Sequence, residues 1–464
     1  MLAPLDFLDQ LLARLEEAIG SIPCAADGGL ASLVLDLPRG PSLPPHLDGP
    51  RFGFVHGARG ELRAGYGVAA QWTAAGPQRL RDLGAIARQQ TARWQQIDPD
   101  ETGLSGFALL GFAAHPDAPS AGDGAGADLP NALLWVPELA LACRPDQSAL
   151  ILTAQLPVAR TELLARWRGW LTRLAPALSA PLPEPLTSSR LTPRGSLPGL
   201  KDWRALVESA LEAIDRGPLD KVVLCRRVAL QGRRPFDLRR LQAALTYLFP
   251  SCQVTSIQRG ATSFVAATPE CLLRVRGRQV EVDAIAGTAA RSASVAQDAA
   301  LTAALLASEK DRREHALVVQ AVRGALEEGC REIRVPDQPT VMQLHNAQHL
   351  WSPVAAQLHG ETDLFGLAER LHPTPATNGQ PRQQARDWLT RAEPIERGWY
   401  TGAAGLVEPD LSGELWVLLR CAELRGDSAR LYAGAGIVAG SDPLAEWRET
   451  GHKLSAIATA LQFA

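Results

Sequence analysis

LYAGAGIVAGSDPLAEWRET, residues 431–450, contains the firmest structural signal in the chain, a helix start that directly follows a glycine-rich segment. Asp442 is a good N-cap and Pro443 suits the first helical position, so SDPLAEWRETGHKLSAIATAL predicts a helix. At ~100° per residue, Glu446, Glu449 and Lys453 share one face of this helix. The neighbouring apolar stripe consists of Trp447, Leu454, Ile457 and Leu461. We therefore expect the acids to border the core.

The glycines before this helix favour a ligand contact over a nucleotide-binding motif. Gly434, Gly436 and Gly440 have the spacing G-x-G-x-x-x-G, which differs from the dinucleotide fingerprint, and too little chain follows to complete such a sheet. Glycines do let backbone N–H groups approach an anionic ligand, and Arg420 can supply a forked partner for a carboxylate. Simple structural turns are the alternative.

A second acidic pair lies upstream, in ALLASEKDRREHALVVQAV, residues 304–322. Asp311 and Glu314 are three residues apart on a predicted helix, so their side chains leave it on the same side. Two such pairs on separate helices suit a hard divalent cation such as Mg²⁺, which prefers oxygen ligands and takes few direct carboxylates. A solvated acidic face is the alternative for either pair.

Lys221 and Glu270 each adjoin an apolar, strand-like run, in KVVLCRRVAL and ATPECLL. A site of low dielectric favours the neutral form of both side chains, which makes a general base of the lysine and a general acid of the glutamate. Such a pair can add water at one position of a molecule and protonate a departing hydroxyl at another. Ordinary charges at strand ends are the alternative.

Composition narrows the class of protein. The 464 residues include 47 Lys and Arg and 50 Asp and Glu, a formal charge of −3, and 46% are hydrophobic, as in a soluble globular protein. Because positive and negative charges nearly balance, the sequence predicts no basic surface for binding nucleic acid or an anionic membrane. No run reaches the ~18 apolar residues of a spanning helix, and the amphipathic first 20 residues predict a helix and not a signal peptide. Seven scattered cysteines indicate reduced thiols in a cytoplasmic protein without zinc.

A segment rich in Pro, Ser and Thr at about 180–200 suggests a boundary between two patterned regions. Before it we expect strands in 59–68 and 132–156, the latter with a PDQS turn, and a small-residue loop over 116–130. After it we expect a helix over 203–217, a strand over 221–230, and two short strands meeting near Gly277. The irregular mixture favours a largely antiparallel sheet covered by helices.

Nine segments in one order resemble the chorismate-utilising enzyme family, in which the isochorismate synthases are the most similar members. These segments are LDKVVLCRRV, ATPECLLRV, AIAGTAAR, SEKDRREHALVV, QHLWSPV, LHPTPATNGQPR, ERGWYTGAAGLV, LWVLLRCAEL and LYAGAGIVAGSDPLAEWRET. The resemblance covers residues 197–464, which it implies are the chorismate-binding catalytic region. Residues 1–190 would form a variable N-terminal part of the same α+β unit. The implied fold has large, mixed, mostly antiparallel stacked sheets flanked by helices, as in anthranilate synthase component I.

The resemblance implies an isomerase that converts chorismate reversibly to isochorismate with Mg²⁺. Lys221 would be the base that activates water for addition at C2, and Glu270 the acid that protonates the leaving C4 hydroxyl. Glu314 and Glu449 would bind Mg²⁺ directly, with Asp311 and Glu446 contributing through water. Positions similar to the family's substrate contacts are Thr288, His349, Tyr400, Arg420, Gly434, Gly436 and Lys453.

Four positions depart from the usual family pattern. Thr268 stands in place of Ser and keeps a hydroxyl, whereas Thr377 and Asn378 replace apolar and small residues after the His-Pro-Thr-Pro motif. Asp311 stands where some relatives have Glu, which implies a contact through water. None of these changes removes a proposed catalytic group.

Three other functions remain open at this point. A salicylate synthase would also eliminate pyruvate in the same pocket, and Tyr400 and Leu419 are compatible with that activity. An aminating enzyme would need a glutamine amidotransferase partner, which we do not expect because Lys221 resembles the base of the water-adding members. A non-catalytic chorismate-binding protein is the last alternative.

Overall fold

The computed structural model describes residues 4–26, 28–38, 40–117, 128–184, 189–344 and 347–464. Two large sheets dominate it, and their strands are numbered here in chain order. The first sheet has 13 strands, and β19 pairs with β11 beside its main path. In spatial order they are β10 (Thr192–Leu197), β11 (Lys221–Gln231), β23 (Ser428–Ile437), β22 (Cys421–Arg425), β13 (Thr262–Thr268), β12 (Gln253–Arg259), β2 (Arg51–His56), β3 (Glu61–Tyr66), β8 (Leu139–Cys143), β9 (Ser148–Gln155), β1 (Leu30–Asp36) and β5 (Trp94–Ile97), with β19 (Gly379–Gln380).

The second sheet has 10 strands, and β17 pairs with β18 beside its main path. In spatial order they are β16 (Cys330–Arg334), β18 (Ala347–Leu358), β15 (Gln279–Ala290), β14 (Cys271–Arg276), β21 (Gly413–Val417), β20 (Ala403–Val407), β6 (Ala108–Phe112), β7 (Ala132–Val136) and β4 (Ala70–Ala74), with β17 (Thr340–Gln343). Among the described pairings of both sheets, β1 with β5 is parallel and the rest are antiparallel. The α+β, mostly antiparallel architecture is therefore as predicted.

Helices cover the outer faces of the sheets. Those described are α1 (Pro4–Ala18), α2 (Arg79–Thr91), α3 (Arg160–Ser179), α4 (Leu200–Asp215), α5 (Leu238–Leu248), α6 (Val295–Ala307), α7 (Glu309–Glu327), α8 (Leu364–Leu371), α9 (Arg382–Ala392) and α10 (Pro443–Leu461), with short 3₁₀ turns at Ile19–Ser21 and Gly57–Arg59. No helix in the described ranges is long and apolar enough to cross a membrane.

The two sheets pack face to face around an aromatic core. Phe52 of β2 and Trp135 of β7 come from different sheets, and their ring centroids lie 5.0 Å apart in an edge-to-face contact. Phe264, Trp399 and Tyr400 belong to the same buried cluster. A separate cluster on the outer face of the first sheet is covered by α1, α3, α5 and α10, and another on the outer face of the second by α7 and α8.

Several local predictions are confirmed. Helix α10 begins where expected, since the Asp442 side chain accepts a hydrogen bond of 2.7 Å from the Ala445 backbone N–H. The strands and turn of 132–156 are present as β7, β8 and β9, and β14 and β15 meet at Gly277, whose φ of 56° is left-handed. Strand β15 is longer than the short strand expected, because β18 pairs with it as far as Ala290.

Two predicted segments fall partly outside the described residues, namely the loop of 116–130 and the boundary region of 180–200. Strands from both sides of that boundary share sheets, since β12 pairs with β2 and β20 with β6. All seven cysteines are unpaired, and six of them are buried.

Candidate active site

One cavity of about 310 Å³ is lined by every residue that the sequence analysis assigned to catalysis, substrate binding or the metal. Its walls come from β11 and β23 of the first sheet, from the ends of β14 and β15 in the second, and from helices α7 and α10. The predicted residues lining it are Lys221, Glu270, Thr288, Asp311, Glu314, His349, Tyr400, Arg420, Gly434, Gly436, Glu446, Glu449 and Lys453. The structure brings all of them together, while their individual roles stay predictions.

Lys221 is the first residue of β11, and its side chain is 1% exposed. Its Nζ donates a hydrogen bond of 2.7 Å to Glu314 Oε1 of α7. Burial alone would raise the pKa of the Glu314 carboxyl, but the Lys221 ammonium lowers it below its ordinary value. A Cβ at Gly436 would lie 2.9 Å from Lys221 Cε, so this glycine gives the lysine room to reach Glu314.

Glu270 stands just before β14 and is 6% exposed. Burial first, and Asp283 second, raise the pKa of its carboxyl, whereas Lys221 and Lys453 lower it, and the net pKa is about 8. Its backbone is fixed on both sides, because its N–H donates to Thr268 Oγ1 at 3.3 Å and its carbonyl accepts from the Val417 N–H at 3.0 Å. A buried carboxylic acid that keeps its proton near pH 7 suits a general acid.

The remaining acids belong to the two predicted helix faces. Glu446 is 6% exposed, and burial followed by the neighbouring Glu449 charge raises the pKa of its carboxyl. Lys453 Nζ forms an ion pair with Glu449 Oε1 at 2.7 Å, and the same Nζ donates to the Gly434 carbonyl at 3.0 Å. Within the described ranges, no three His, Cys, Asp or Glu side chains stand close enough to hold a metal by themselves.

Arg420 gives one wall of the cavity a positive charge. It is the last residue of the short segment between β21 and β22. Burial lowers the pKa of its guanidinium, and no carboxylate in the described parts of the chain forms an ion pair with it. Its recorded side-chain contact is Cys252 Sγ, at 3.9 Å from Nη1. An unpaired guanidinium in a cavity wall is suited to a ligand carboxylate.

Tyr400 and Gly434 form the adjoining wall. The Tyr400 ring stacks on Tyr432 with centroids 5.5 Å apart, and burial raises the pKa of the Tyr400 hydroxyl well above its ordinary value. A Cβ at Gly434 would lie 2.9 Å from the Tyr400 hydroxyl, so the bare backbone of β23 allows this contact. The Tyr400 hydroxyl is therefore held as a neutral hydrogen-bonding group.

His349 is a neutral imidazole that can act as an acceptor. Burial lowers its pKa to about 3, and the Arg420 and Lys453 charges add to this effect. Its Nδ1 lies 3.1 Å from the Gly287 carbonyl, which can only accept, so Nδ1 carries the proton. The same nitrogen lies 3.1 Å from Thr288 Oγ1. Nε2 is then left as the acceptor nitrogen of the ring.

The cavity also has lining residues that the sequence analysis did not single out, among them Lys310 and Tyr432, and it is lined by Thr377 and Leu419, which were named above without a role in binding. Lys310 and Tyr432 lie inside quoted motifs, one residue from Asp311 and two from Gly434, so proximity in sequence was an available signal. A buried ion pair behind the wall was also missed. Arg397, 2.7 Å from Glu393, donates to the carbonyls of two cavity residues, Val223 at 2.6 Å and Thr377 at 2.7 Å.

The structure shows which contacts are made by the residues that depart from the family pattern. Thr268 supplies the hydroxyl that accepts from the Glu270 N–H, so a serine or a threonine serves there. Thr377 and Asn378 close a turn, with both backbone N–H groups donating to the Thr374 carbonyl. The Asn378 side-chain amide donates to the Arg382 carbonyl at 2.9 Å, which ties this turn to α9.

Residues 45–462 match the family model described as chorismate binding enzyme, and the chain belongs to that family. The match begins well before residue 197, where the recognisable motifs start. Among its relatives, the salicylate biosynthesis isochorismate synthase of Pseudomonas aeruginosa is 39% identical over 266 residues, which are 56% of this chain and 55% of that protein. The aligned part thus spans about half the length of that relative.

Solved structures agree with this fold over most of the chain. The menaquinone-specific isochorismate synthase MenF from Escherichia coli superimposes with a TM-score of 0.80 and 28% identity, covering 99% of this chain and 100% of that one. Anthranilate synthase component I from Streptococcus pneumoniae, at a TM-score of 0.69, 20% identity and 89% of this chain, shares the fold. The predicted fold class is therefore confirmed.

Proposed function

We propose that this protein is an isochorismate synthase, which converts chorismate reversibly to isochorismate. The observation that carries the proposal is the shared cavity of Lys221 and Glu270, a lysine and a glutamic acid that come from different sheets and are both buried. The names of the relatives support the same reaction. The proposal includes no amidotransferase partner, because Lys221 resembles the base of the water-adding family members.

In the proposed reaction, Lys221 must first lose the proton of its ammonium, and the resulting amine takes a proton from a water molecule as that water attacks C2 of the ring. The C2–O bond forms, the double bonds shift, and the C4–O bond breaks. Glu270 gives its proton to the departing C4 hydroxyl, which leaves as water. One C–O bond replaces another, so substrate and product are close in free energy and the reaction runs in both directions.

The cavity offers separate partners for the two carboxylates of chorismate. Arg420 can form a forked pair with one of them, with the Tyr400 hydroxyl and the backbone at Gly434 and Gly436 beside it. His349 Nε2 can accept a hydrogen bond from a ring hydroxyl. These contacts would hold the ring between Lys221 and Glu270.

The acids of α7 and α10 fit a Mg²⁺ ion by their chemistry. All four are oxygen donors. Burial and, after it, the Glu449 charge raise the pKa of Glu446, and a cation would relieve the repulsion between these two carboxyls. Glu314 and Glu449 would bind the ion directly, each sharing or exchanging its lysine partner, and Asp311 and Glu446 would contribute through water. When bound, the ion supplies charge neutralisation and orientation for a substrate carboxylate.

The test is an assay of the purified full chain with chorismate, with and without Mg²⁺, followed by chromatographic separation of the products. We expect isochorismate with Mg²⁺, loss of product after EDTA treatment, and recovery when Mg²⁺ is returned. Starting from isochorismate, the same equilibrium ratio should be reached from the other side. Absence of isochorismate under all these conditions would reject the proposal.

Two further measurements separate the alternative functions. Pyruvate is followed with lactate dehydrogenase and NADH, and its stoichiometric release would assign the chain to the salicylate synthases. Ammonium salt is added in place of an amidotransferase, and an aminated product would assign it to the aminating enzymes. Tight chorismate binding without any product would identify a non-catalytic binding protein.

A further inference from the structure

Glu270 lies in a wall between two cavities. Glu270 lines the candidate active site, its neighbour Cys271 lines a second cavity of about 520 Å³, and Pro269 lines both. Asp283 of β15 and Trp351 of β18 also line this second cavity. An acidic side chain that sequence analysis did not single out thus stands on the far side of the proposed general acid.

Asp283 is held by hydrogen-bond donors. Trp351 Nε1 donates to Asp283 Oδ1 at 2.7 Å, and the nearby backbone N–H of Cys271 lowers the pKa of the Asp283 carboxyl. An indole and a backbone amide can only donate, so both favour the ionised carboxylate. The Cys271 amide belongs to the peptide that follows Glu270, so Asp283 lies close to the backbone at the base of that side chain.

The Glu270 carboxyl has the opposite environment. In the ranges that the structure describes, its recorded hydrogen bonds involve its backbone, at Thr268 and Val417, and none reaches its carboxyl oxygens. When two nearby carboxyls differ in this way, the one with donors ionises and the other keeps the proton. The asymmetry assigns the negative charge to Asp283 and the proton to Glu270.

We propose that Asp283 is a positioning residue of the reaction, which is held by Trp351 next to the peptide after Glu270 and places a fixed negative charge behind the general acid. The inference rests on the proposed function, because it concerns the same acid. Asp283 does not line the substrate cavity, so it acts through Glu270 and not on the substrate.

The charges around the pair agree with this assignment. Asp283 is the second cause, after burial, that raises the pKa of Glu270, and Lys221 and Lys453 oppose it from the cavity side. Burial also raises the pKa of Asp283, with a small contribution from Glu281, while Trp351, Arg274 and the Cys271 amide lower it. The donors to Asp283 therefore limit the cost of keeping it charged.

The test compares the pH dependence of kcat/KM for chorismate in the wild type and in Asp283→Asn, which keeps an oxygen acceptor for Trp351. The wild type should lose activity as Glu270 ionises, near its pKa of about 8. In the variant that alkaline limb should move down by about one pH unit, because a like charge within reach of a carboxyl has been removed. Glu361→Gln, which changes an exposed carboxyl that lines neither cavity, is the control and should leave the limb in place.

Two additions make the result decisive. Trp351→Phe removes the donor to Asp283 and should move the alkaline limb in the same direction, which covers the case that Asp283→Asn does not fold. Infrared titration of the ligand-free protein, with the Glu270 band identified by Glu270→Gln, follows the same ionisation without any assay.

An unmoved limb and an unmoved infrared midpoint in the variants would overturn the inference. A wild type that makes no isochorismate would reject the proposed function alone, since the infrared midpoint still reports on Asp283.

Discussion

The Nζ atom of Lys221 lies 2.7 Å from Oε1 of Glu314. This contact links the first residue of β11, in the first sheet, to helix α7, which covers the second sheet. The two residues are 93 positions apart in the chain. One is the proposed base and the other a proposed ligand of Mg²⁺, so a single contact connects the two chemical functions of the cavity.

Replacing Lys221 removes the proposed base. We expect Lys221→Ala to lower kcat for isochorismate formation by roughly 10²- to 10⁴-fold, the range typical of a lost general base. The fold should persist, because Glu314 keeps some access to the cavity solvent, with 19% of its side chain exposed. The measurements are chromatography of the products and circular dichroism on heating. Lys201→Ala, an exposed lysine of α4, is the control, and a fully active Lys221→Ala protein would contradict the assignment.

Replacing Glu270 removes the proposed acid. Glu270→Gln keeps the shape of the side chain but has no proton to give, so kcat should fall by roughly 10²- to 10⁴-fold at every pH. The residual rate should also lose the alkaline limb, since that limb reports ionisation of this carboxyl. Steady-state rates over a pH series check both statements. A variant whose limb matches that of the wild type would assign the limb to another group.

The same carboxyl predicts a pH dependence of stability. Its pKa is about 8 in the folded protein and about 4.5 ordinarily, so between these values the folded state holds a proton that the unfolded chain has lost. The stabilisation is fully present below pH 4.5 and disappears as the pH rises through 8. Glu270 alone should therefore lower the free energy of unfolding by about 1.4 kcal/mol per pH unit across this window. Urea unfolding of wild type and Glu270→Gln at several pH values measures the difference, and parallel pH dependences would count against the shift.

Gly436 leaves the space in which Lys221 reaches Glu314. In Gly436→Ala the new Cβ would lie 2.9 Å from Lys221 Cε and 3.4 Å from Glu314 Oε1, so the pair must move. We expect kcat to fall roughly tenfold to a hundredfold, because small displacements of a catalytic group are costly. Gly324→Ala in α7 has nothing within 4 Å of its Cβ and serves as the control. Equal kcat values for the two variants would show that the pair tolerates the displacement.

Arg420 is expected to act in substrate binding. Arg420→Lys keeps the charge but loses the fork, and the KM for chorismate should rise roughly tenfold to a hundredfold. Thermal stability should change little, since no carboxylate in the described residues depends on this guanidinium. Initial rates at varied chorismate concentration give KM and kcat separately. Arg331→Lys, on exposed β16, is the control, and an unchanged KM in Arg420→Lys would remove Arg420 from the carboxylate site.

Local features of this fold were readable from the sequence because their causes are local. Asp442 and Pro443 fix the start of α10 through a cap and a preset φ, and the 3.6-residue period then places Glu446 and Glu449 on the cavity side. The strand starting at Lys221 follows from its β-branched run. The resemblance to the family supplied the rest of the residue set, including Thr288, His349 and Tyr400, whose local patterns predict no ligand contact.

Long-range pairings had no such signal. Phe52 pairs with Ile257 and Leu109 with Leu406, and the apolar faces of these strands would accept many partners equally well. The second carboxyl at Asp283 was invisible for the same reason. Its neighbour Cys271 and its donor Trp351 become adjacent only when β14, β15 and β18 pair in register, so its chemistry is a product of the fold.

Gly434 and Gly436 give one side of the cavity a surface of main chain. Substitution of either glycine cannot change the volume of the cavity in small steps, because even a single Cβ there meets Tyr400 or Lys221. Substitutions that change the shape of the pocket, and with it the ligand that fits, are therefore expected at the opposite rim. Ala376, Thr377 and Leu419 lie there, between regular elements. Diversification of the scaffold would proceed through that rim while the glycine face stays constant.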